Sequence, residues 1–382
     1  MKKVLIVVPN CGTGGVLASL IALLNSSFVR RYHVNIFIMN AYGVMINPTI
    51  AKYDIGCNYW TSKVYSYVRN THGMNRIVLL GYKIIFKIPW IGKRIIDYID
   101  LSTIRRIEKF EYDCVISFQE RVSQEFVSKF SNPQKIAWIH CDYSRIFTNE
   151  TDEMKILSNY TKIVTVSKYT QQSLCELLPK LKDRIVVIYN IMDYDVIRIK
   201  ANKTIDDNRF STDYYTIISV GRISSVKQFE KVPLVANSLK SKGYSFRWYI
   251  IGGVNDTSAS EKLNKAIEDN KMQDVVICLG NKLNPYPYFK AANLLVSTSL
   301  SEACPMVFNE AKILKLPIVT NCFGSSYEFI EDGQDGRICT IDQMADVIGE
   351  IISFRPHFCP QISKGFSSIE IQNQIDNIIN NS

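Results

Sequence analysis

The sequence predicts an α/β fold of two doubly wound, Rossmann-like domains that face a central cleft. A chain of 382 residues is long enough for two domains of ordinary size. Short apolar runs alternate with stretches of helical spacing, which is typical of parallel sheets covered by helices on both faces. The alternation forms two series separated by a polar stretch, residues 201–213. These three observations favour two domains joined by a linker.

The first series begins with an apolar run at 3–8, a glycine turn, and apolar residues at helical spacing over 16–24. Five more strands are predicted in this half: 34–39, 114–118, 135–140, 163–167 and 185–189. Helical stretches lie between several of them. Residues 1–200 are therefore expected to form the N-terminal domain.

The second series begins after the predicted linker, 201–213, and the domain that it forms is expected to span residues 214–360. Its predicted strands are 215–220, 246–251, 275–279, 294–297 and 318–320, and its predicted helices are 229–242, 260–270, 286–292 and 306–315. Residues 361–382 are expected to form a closing helix that packs back on the N-terminal domain. Open α/β sheets bind ligands at the carboxyl ends of their strands, so a ligand is expected in the cleft.

Composition excludes several classes of protein. The ten cysteines include no Cys-x-x-Cys pair and many lie in apolar runs, which predicts reduced thiols in a cytoplasmic protein rather than disulfides or a zinc site. The N-terminus has only five apolar residues before Pro9, which indicates a strand and not a signal peptide. The apolar stretch 77–96 contains four basic residues and a proline and is not expected to span a bilayer.

Positive charge is concentrated in the N-terminal half. The first 200 residues carry 27 Lys and Arg and 16 Asp and Glu, whereas the remainder carry 18 and 20. Between 60 and 110 there are ten basic and three acidic residues. Aromatic residues interleave with lysines over 77–96, so this stretch is either an interfacial helix on an anionic membrane or a core helix whose lysines reach out to water. No nucleic-acid-reading motif accompanies the charge.

Three groups of residues are candidates for binding a phosphorylated ligand. Gly14 and Gly15 stand at a predicted helix start, where free backbone amides favour an anion, and a tight turn that needs no ligand is the alternative. Their spacing lacks the third glycine of the dinucleotide fingerprint. Arg222 and Lys227 follow the first strand of the second series, and two cations in such a turn suit a diphosphate. Ordinary surface charge is the alternative.

The third group lies at a predicted loop-to-helix boundary. Glu302 and Glu310 are eight positions apart, and Glu310 stands among apolar helix residues, where a carboxylate needs a partner such as a sugar hydroxyl. Pro305 fixes the turn between them. The backbone of 304–307 is expected to offer hydrogen bonds to a phosphate or a sugar.

These motifs in this order resemble glycosyltransferase family 4, retaining enzymes of the GT-B fold. The resemblance rests on the segment 302–310, the later stretches 316–320 and 328–333, and the earlier Val220-Gly221-Arg222 with Lys227. The stretches 164–167 and 187–190 and the opening Gly14-Gly15 agree with it, so it covers nearly the whole chain.

The resemblance implies a nucleotide-diphospho-sugar donor, UDP- or GDP-linked, bound mainly by the C-terminal domain without a metal or other cofactor. Arg222 and Lys227 would hold its diphosphate, with Gly14 and Gly15 on a phosphate from the other domain. Glu310 would bind the ribose. Glu302 and the segment Cys304, Pro305, Met306 and Val307 would bind the sugar.

Further roles are implied for the N-terminal, acceptor-binding domain. His140 ends a predicted strand and would lie by the reacting sugar, which makes it a catalytic candidate together with Glu302, Arg222 and Lys227. A structural histidine is the alternative. Asp142 and Tyr143 follow directly and would face a saccharide acceptor.

Similar sequences assemble capsule, lipopolysaccharide or exopolysaccharide units on lipid-linked acceptors, which implies a cytoplasmic protein peripheral to the inner face of the membrane. The chain departs from the family pattern at Ala303, Cys304 and the stretch 312–315, which bears on the identity of the sugar. A sugar-nucleotide epimerase of the same fold and a non-catalytic nucleotide-sugar or membrane-binding partner protein are the alternatives.

Overall fold

Two six-stranded parallel sheets appear in a computed structural model, which describes residues 1–10, 14–40, 47–55, 89–132, 134–362 and 365–380. The chain forms two compact units. The first comprises Met1–Thr165, Ser173–Ile188 and Gln372–Ser382, and the second comprises Val166–Gln172 and Tyr189–Ile371.

The sheet of the first unit has the order β2-β1-β3-β4-β5-β6. Its strands are β1 Lys3–Asn10, β2 His33–Asn40, β3 Cys114–Ser117, β4 Lys135–Ile139, β5 Lys162–Thr165 and β6 Ile185–Val187. All five residues of β4 are buried, as expected for a strand covered on both faces. The six strands predicted for this half are confirmed within a few residues at each end.

Helices of the first unit connect these strands, and part of the last of them belongs to the second unit. They are α1 Gly15–Asn25, α2 Phe28–Arg31, α3 Pro48–Ala51, α4 Pro89–Ile107, α5 Val122–Ser128, α6 Glu150–Leu157 and α7 Lys168–Leu177, with 3-10 turns at Glu108–Phe110, Tyr143–Arg145 and Pro179–Arg184. Phe126 of α5 stacks on Phe37 of β2 with ring centroids 5.5 Å apart. Aromatic packing of this kind closes one face of the sheet.

The second sheet has the order β12-β11-β10-β7-β8-β9. Its strands are β7 Tyr215–Val220, β8 Phe246–Ile251, β9 Val276–Gly280, β10 Leu294–Ser297, β11 Ile318–Asn321 and β12 Gly336–Cys339. The helices around it are α8 Tyr194–Ala201, α9 Val232–Ser241, α10 Thr257–Asp269, α11 Tyr286–Ala291, α12 Met306–Ile313, α13 Ser326–Phe329 and α14 Ile341–Phe354. A short 3-10 turn, Phe229–Lys231, precedes α9.

The polar stretch 201–213 belongs to the second unit and does not link the two units, which differs from the predicted boundary. The chain enters this unit at Tyr189, and α8 packs there through Ile197. Asp207, whose side chain is 6% exposed, pairs with Arg209 at 2.7 Å and Lys282 at 2.6 Å. Ion pairs therefore tie the stretch to the loop after β9, although its composition is that of a linker.

The C-terminal residues form the helix α15, Ser368–Asn380. Residues 372–382 belong to the first unit. Asp376 pairs there with Arg31 and accepts a hydrogen bond from the Tyr32 hydroxyl at 3.0 Å. The side chain of Gln134 donates to the carbonyls of Ile378 and Ile379, both at 2.9 Å. The predicted helix is present, and these four contacts attach its end to the first unit.

The predicted membrane-facing stretch 77–96 lies mostly outside the described residues, since 56–88 are not described. Its last residues belong to α4, where Arg94 and Ile96 are exposed. Among the described helices, none is both long and apolar enough to cross a bilayer.

Candidate active site

A tight glycine contact shapes the turn after β7 in the second unit. Gly221 has φ +154°, which side chains rarely adopt, and its N–H donates to the carbonyl of Ile251 at 3.0 Å. Gly252, after β8, lies so close that a Cβ placed on it would be 1.8 Å from the Gly221 carbonyl oxygen. Glycine at 252 therefore allows the ends of β7 and β8 to approach, and glycine at 221 adopts the φ that the turn requires.

Lys227 folds back over this turn and pairs with Glu302. A Cβ on Gly221 would lie 2.9 Å from the Lys227 Cε. The Lys227 Nζ lies 2.5 Å from Glu302 Oε1, and the two side chains are 19% and 17% exposed. Ser299 donates to the same Glu302 oxygen at 2.8 Å, and Thr298 donates to the Lys227 carbonyl at 2.8 Å. The structure thus brings together two predicted site residues at the carboxyl ends of β7 and β10.

A substitution at Gly252 tests this packing. Gly252→Ala is expected to destabilise the protein by about 1–3 kcal/mol, because the new methyl group forces the Gly221 carbonyl away. Gly253→Ala is the matched control, since its Cβ would meet only Asn281, at 3.5 Å. Thermal unfolding of both variants measures the difference. Equal stability of the two variants would show that the close approach does not exist.

Glu310 is buried in α12, with 8% of its surface exposed. The Tyr286 hydroxyl of α11 donates to Glu310 Oε1 at 3.1 Å. Burial raises the pKa of Glu310 to about 7, and the Tyr286 hydroxyl and the positive charge of Lys227 both lower that pKa. The effect of Lys227 on this pKa shows that the two side chains lie near each other. The ionised carboxylate can accept further hydrogen bonds from a ligand.

The start of α12 presents backbone amides about one helical turn before Glu310. Pro305 precedes the helix and has no N–H, so the first free amides are those of Met306 and Val307. Cys304 lies against Asn190, and burial raises the pKa of its thiol to about 12. The thiol is therefore neutral at physiological pH and is not a nucleophile.

Arg222 is exposed and makes no ion pair or hydrogen bond with the described residues. It lies in the same turn as Gly221, five residues before Lys227. The structure does not bring its guanidinium into the Lys227–Glu302 pair, so its charge is available to a ligand.

The predicted residues of the first unit lie after β1 and β4. Gly14, with φ +138°, precedes α1, and its carbonyl accepts a hydrogen bond from the N–H of Ala18 at 3.0 Å. Gly15 is the first helical residue.

His140 directly follows β4. Both of its ring nitrogens are shielded from solvent and have no partner among the described residues, and burial lowers its pKa to about 3. The imidazole is therefore neutral.

The two residues predicted to face an acceptor have partners within the first unit. Asp142 caps the Tyr143–Arg145 turn, accepting from the Ser144 hydroxyl at 2.7 Å. Tyr143 is 1% exposed and donates to Glu153 at 2.6 Å. An acceptor contact of Asp142 stays a prediction. Tyr143 is buried and belongs to the core of the first unit.

Three residues of these sites were missed in the sequence. Tyr286 and Ser299 hold the two carboxylates of the second unit, and Glu120 contacts the backbone at His140. The sequence does contain one indication of Glu120, because it is a charged residue just after a predicted strand. The other two carry none, because only the fold places them near Glu310 and Glu302. In the described ranges, no group of three or more His, Cys, Asp or Glu side chains is placed to hold a metal ion.

Comparison with known proteins adds three findings. Residues 200–355 match the family model for glycosyl transferases group 1. An uncharacterized glycosyltransferase of Methanocaldococcus jannaschii is 23% identical over 241 residues, covering 57% of this chain and 58% of that protein. The poly(ribitol-phosphate) alpha-N-acetylglucosaminyltransferase of Staphylococcus aureus is 26% identical over 241 residues, covering 60% of this chain and 45% of that protein. The chain thus spans about half the length of these relatives.

Solved structures match over the full length. HepE of Anabaena, solved with UDP, superposes with a TM-score of 0.72 at 14% identity and 100% coverage of both chains. A TarM variant of Staphylococcus aureus, solved with UDP, superposes with a TM-score of 0.72 at 15% identity, again covering 100% of both. The fold is GT-B. The predicted fold class is confirmed, and the family model and relatives support a glycosyltransferase.

Proposed function

We propose that the protein is a retaining glycosyltransferase of family 4, which moves a sugar from a nucleotide-diphospho-sugar to a hydroxyl of a saccharide acceptor. The ion pair of Lys227 and Glu302, beside the buried carboxylate of Glu310, carries the proposal. This group lies at the carboxyl ends of parallel strands, where open α/β sheets bind ligands. The family model covers the same part of the chain.

Each group of the second unit has a place in donor binding. Lys227 and the exposed Arg222 bind the diphosphate, and Glu310 accepts hydrogen bonds from the ribose hydroxyls. Glu302 and the free amides of Met306 and Val307 bind the sugar.

Three residues of the first unit also have proposed contacts with the donor. Gly14 and Gly15 offer backbone amides to a phosphate, and His140 offers a neutral ring to the sugar.

The chemistry relies on the departing diphosphate. Negative charge grows on its oxygens as the glycosidic bond breaks, and the two cations are fixed in advance to meet that charge. Lys227 is already ordered by Glu302, so little reorganisation is needed when the donor binds. No metal ion or other cofactor is needed, because Lys227 and Arg222 supply the compensating charge.

The acceptor is proposed to be lipid-linked, and the pathway to be synthesis of a cell-surface polysaccharide. Two relatives support this class: the Staphylococcus enzyme named above, and a protein from the cps region of Klebsiella pneumoniae that is 23% identical over 245 residues. The match covers 61% of this chain and 65% of that protein. Such an enzyme would work in the cytoplasm, at the inner face of the membrane.

A panel of UDP-, GDP- and ADP-sugars tests the donor class. A nucleotide sugar present at a hundred times its Kd is expected to stabilise the protein by about 2.7 kcal/mol, which a thermal shift detects. Lipid-linked saccharide is then added, and NMR of the product reads the configuration at the new linkage. Retained configuration supports the proposal. Inverted product, an epimerised donor without acceptor, or no stabilisation by any donor would overturn it.

A further inference from the structure

Glu120 ties together two strand ends of the first unit. It follows β3, and its Oε1 accepts hydrogen bonds from two consecutive backbone N–H groups, those of His140 and Cys141, the second at 2.8 Å. The Cys141 thiol also donates to this carboxylate. One side chain thus connects the loop after β3 to the turn after β4.

The surroundings of Glu120 disfavour its ionised carboxylate. It is half-buried, and this burial raises its pKa, while the backbone N–H groups lower that pKa. A buried carboxylate reduces stability unless its hydrogen bonds compensate. Ionisable groups in such surroundings are concentrated at functional sites.

The orientation of the His140 ring depends on the hydrogen bonds that Glu120 accepts from the backbone. Its ring lies 4.8 Å from the ring of Phe118 and 6.4 Å from that of Trp138, measured between centroids. No described residue makes a hydrogen bond to either ring nitrogen. Aromatic packing and the backbone held by Glu120 are therefore what orient the imidazole.

We propose that Glu120 is a positioning residue, which fixes the backbone at 140–141 and thereby the orientation of the His140 imidazole. Glu120 itself touches no reacting atom. Its catalytic consequence rests on the proposed glycosyl transfer, whereas its effect on His140 does not. Arg121, Cys141 and Asp142 are the other titratable groups of this turn.

Kinetics of three variants test the catalytic part. Glu120→Ala is expected to lower kcat by about tenfold to a hundredfold, because misplacing a reacting group by about 1 Å costs that much. The KM for the donor is expected to change little, since the second unit supplies most of its proposed contacts. Glu120→Gln keeps an accepting oxygen and is expected to retain kcat within about threefold. Unchanged kcat in Glu120→Ala, or an equal loss in both variants, would overturn the proposal.

Glu108→Ala is the matched control. Glu108 also accepts a hydrogen bond from a backbone N–H, that of Ser131 at 2.8 Å, but before β4 rather than after it. This variant is expected to keep wild-type kcat. A loss as large as that of Glu120→Ala would show that any carboxylate holding this unit together has the same effect, which contradicts a specific role.

NMR of the ligand-free protein separates the positioning role from the proposed function. With 13C-labelled histidine, and with His140→Gln to assign the signal, the His140 ring of the wild type is expected not to titrate between pH 5.5 and 8. In Glu120→Ala the released ring is expected to titrate toward its ordinary value of about 6.5. A wild-type profile in this variant would overturn the positioning role, even if the enzyme transfers sugar.

The same spectra remain decisive if the wild type transfers no sugar, because only the proposed function would then fail. If Glu120→Ala does not fold, Glu120→Asp replaces it. The shorter side chain keeps the charge but cannot reach both N–H groups, so it is expected to shift the His140 titration in the same direction.

Discussion

Replacing Lys227 with alanine is expected to lower kcat by about a hundredfold to a thousandfold. Removing one preorganised contact to charge that develops in the transition state costs about 2.7–4 kcal/mol. Lys227 is such a contact in the proposed reaction, because its ammonium lies at the strand ends, ordered by Glu302 at 2.5 Å. The measurement is steady-state transfer from the donor that the panel identifies.

A second lysine of the same unit provides the control. Lys242 pairs with the exposed Asp346, between the end of α9 and α14. Lys242→Ala is expected to keep wild-type kcat. Thermal unfolding checks that Lys227→Ala is folded, since Glu302 loses its ion pair there. A folded Lys227→Ala protein with undiminished kcat would exclude stabilisation of the leaving diphosphate by this residue.

Glu310 is expected to make donor binding depend on pH. Its pKa of about 7 leaves about a tenth of it ionised at pH 6 and about nine-tenths at pH 8. Ribose hydroxyls hydrogen-bond best to the ionised form, so donor affinity should rise about tenfold from pH 6 to pH 8. Calorimetric titration with a nucleotide sugar measures this, because its diphosphate does not itself titrate in that range.

Glu310→Gln is expected to abolish this pH dependence and to weaken donor binding at pH 8. The same variant should be more stable at pH 8, by up to about 3 kcal/mol. The sign follows from the raised pKa, since ionising Glu310 in the folded protein costs stability as the pH rises from the unfolded pKa to the folded one. Asp346→Asn, at an exposed carboxylate, should change neither property. A donor Kd in the wild type that is constant from pH 6 to pH 8 would contradict a ribose contact by Glu310.

The strands were predictable because both sheets are buried on both faces. Parallel strands such as β1 and β7 then appear as short apolar runs bounded by glycine or proline, and chain order fixes their succession. The Lys227 and Glu302 candidates were predictable for a related reason. Both follow strand ends, where side chains at the edge of a parallel sheet meet.

The unit boundary was not predictable, because composition does not record tertiary ion pairs. The stretch 201–213 looks like a linker, yet Asp207 attaches it to Lys282, which lies seventy-five positions away. The role of Glu120 was hidden for the same reason, since its partners are backbone groups twenty and twenty-one residues later in the chain. Long-range pairing of this kind depends on the assembled sheet.

Comparing the affinities for a nucleoside diphosphate and for its nucleoside tests most directly whether Arg222 and Lys227 hold the diphosphate. For the base that the panel selects, the diphosphate is expected to bind at least about a hundredfold more tightly than the nucleoside, because it alone contacts both cations. In the double variant Arg222→Ala/Lys227→Ala this ratio should fall to within about threefold. A ratio that remains near a hundredfold in the double variant would show that the diphosphate binds elsewhere.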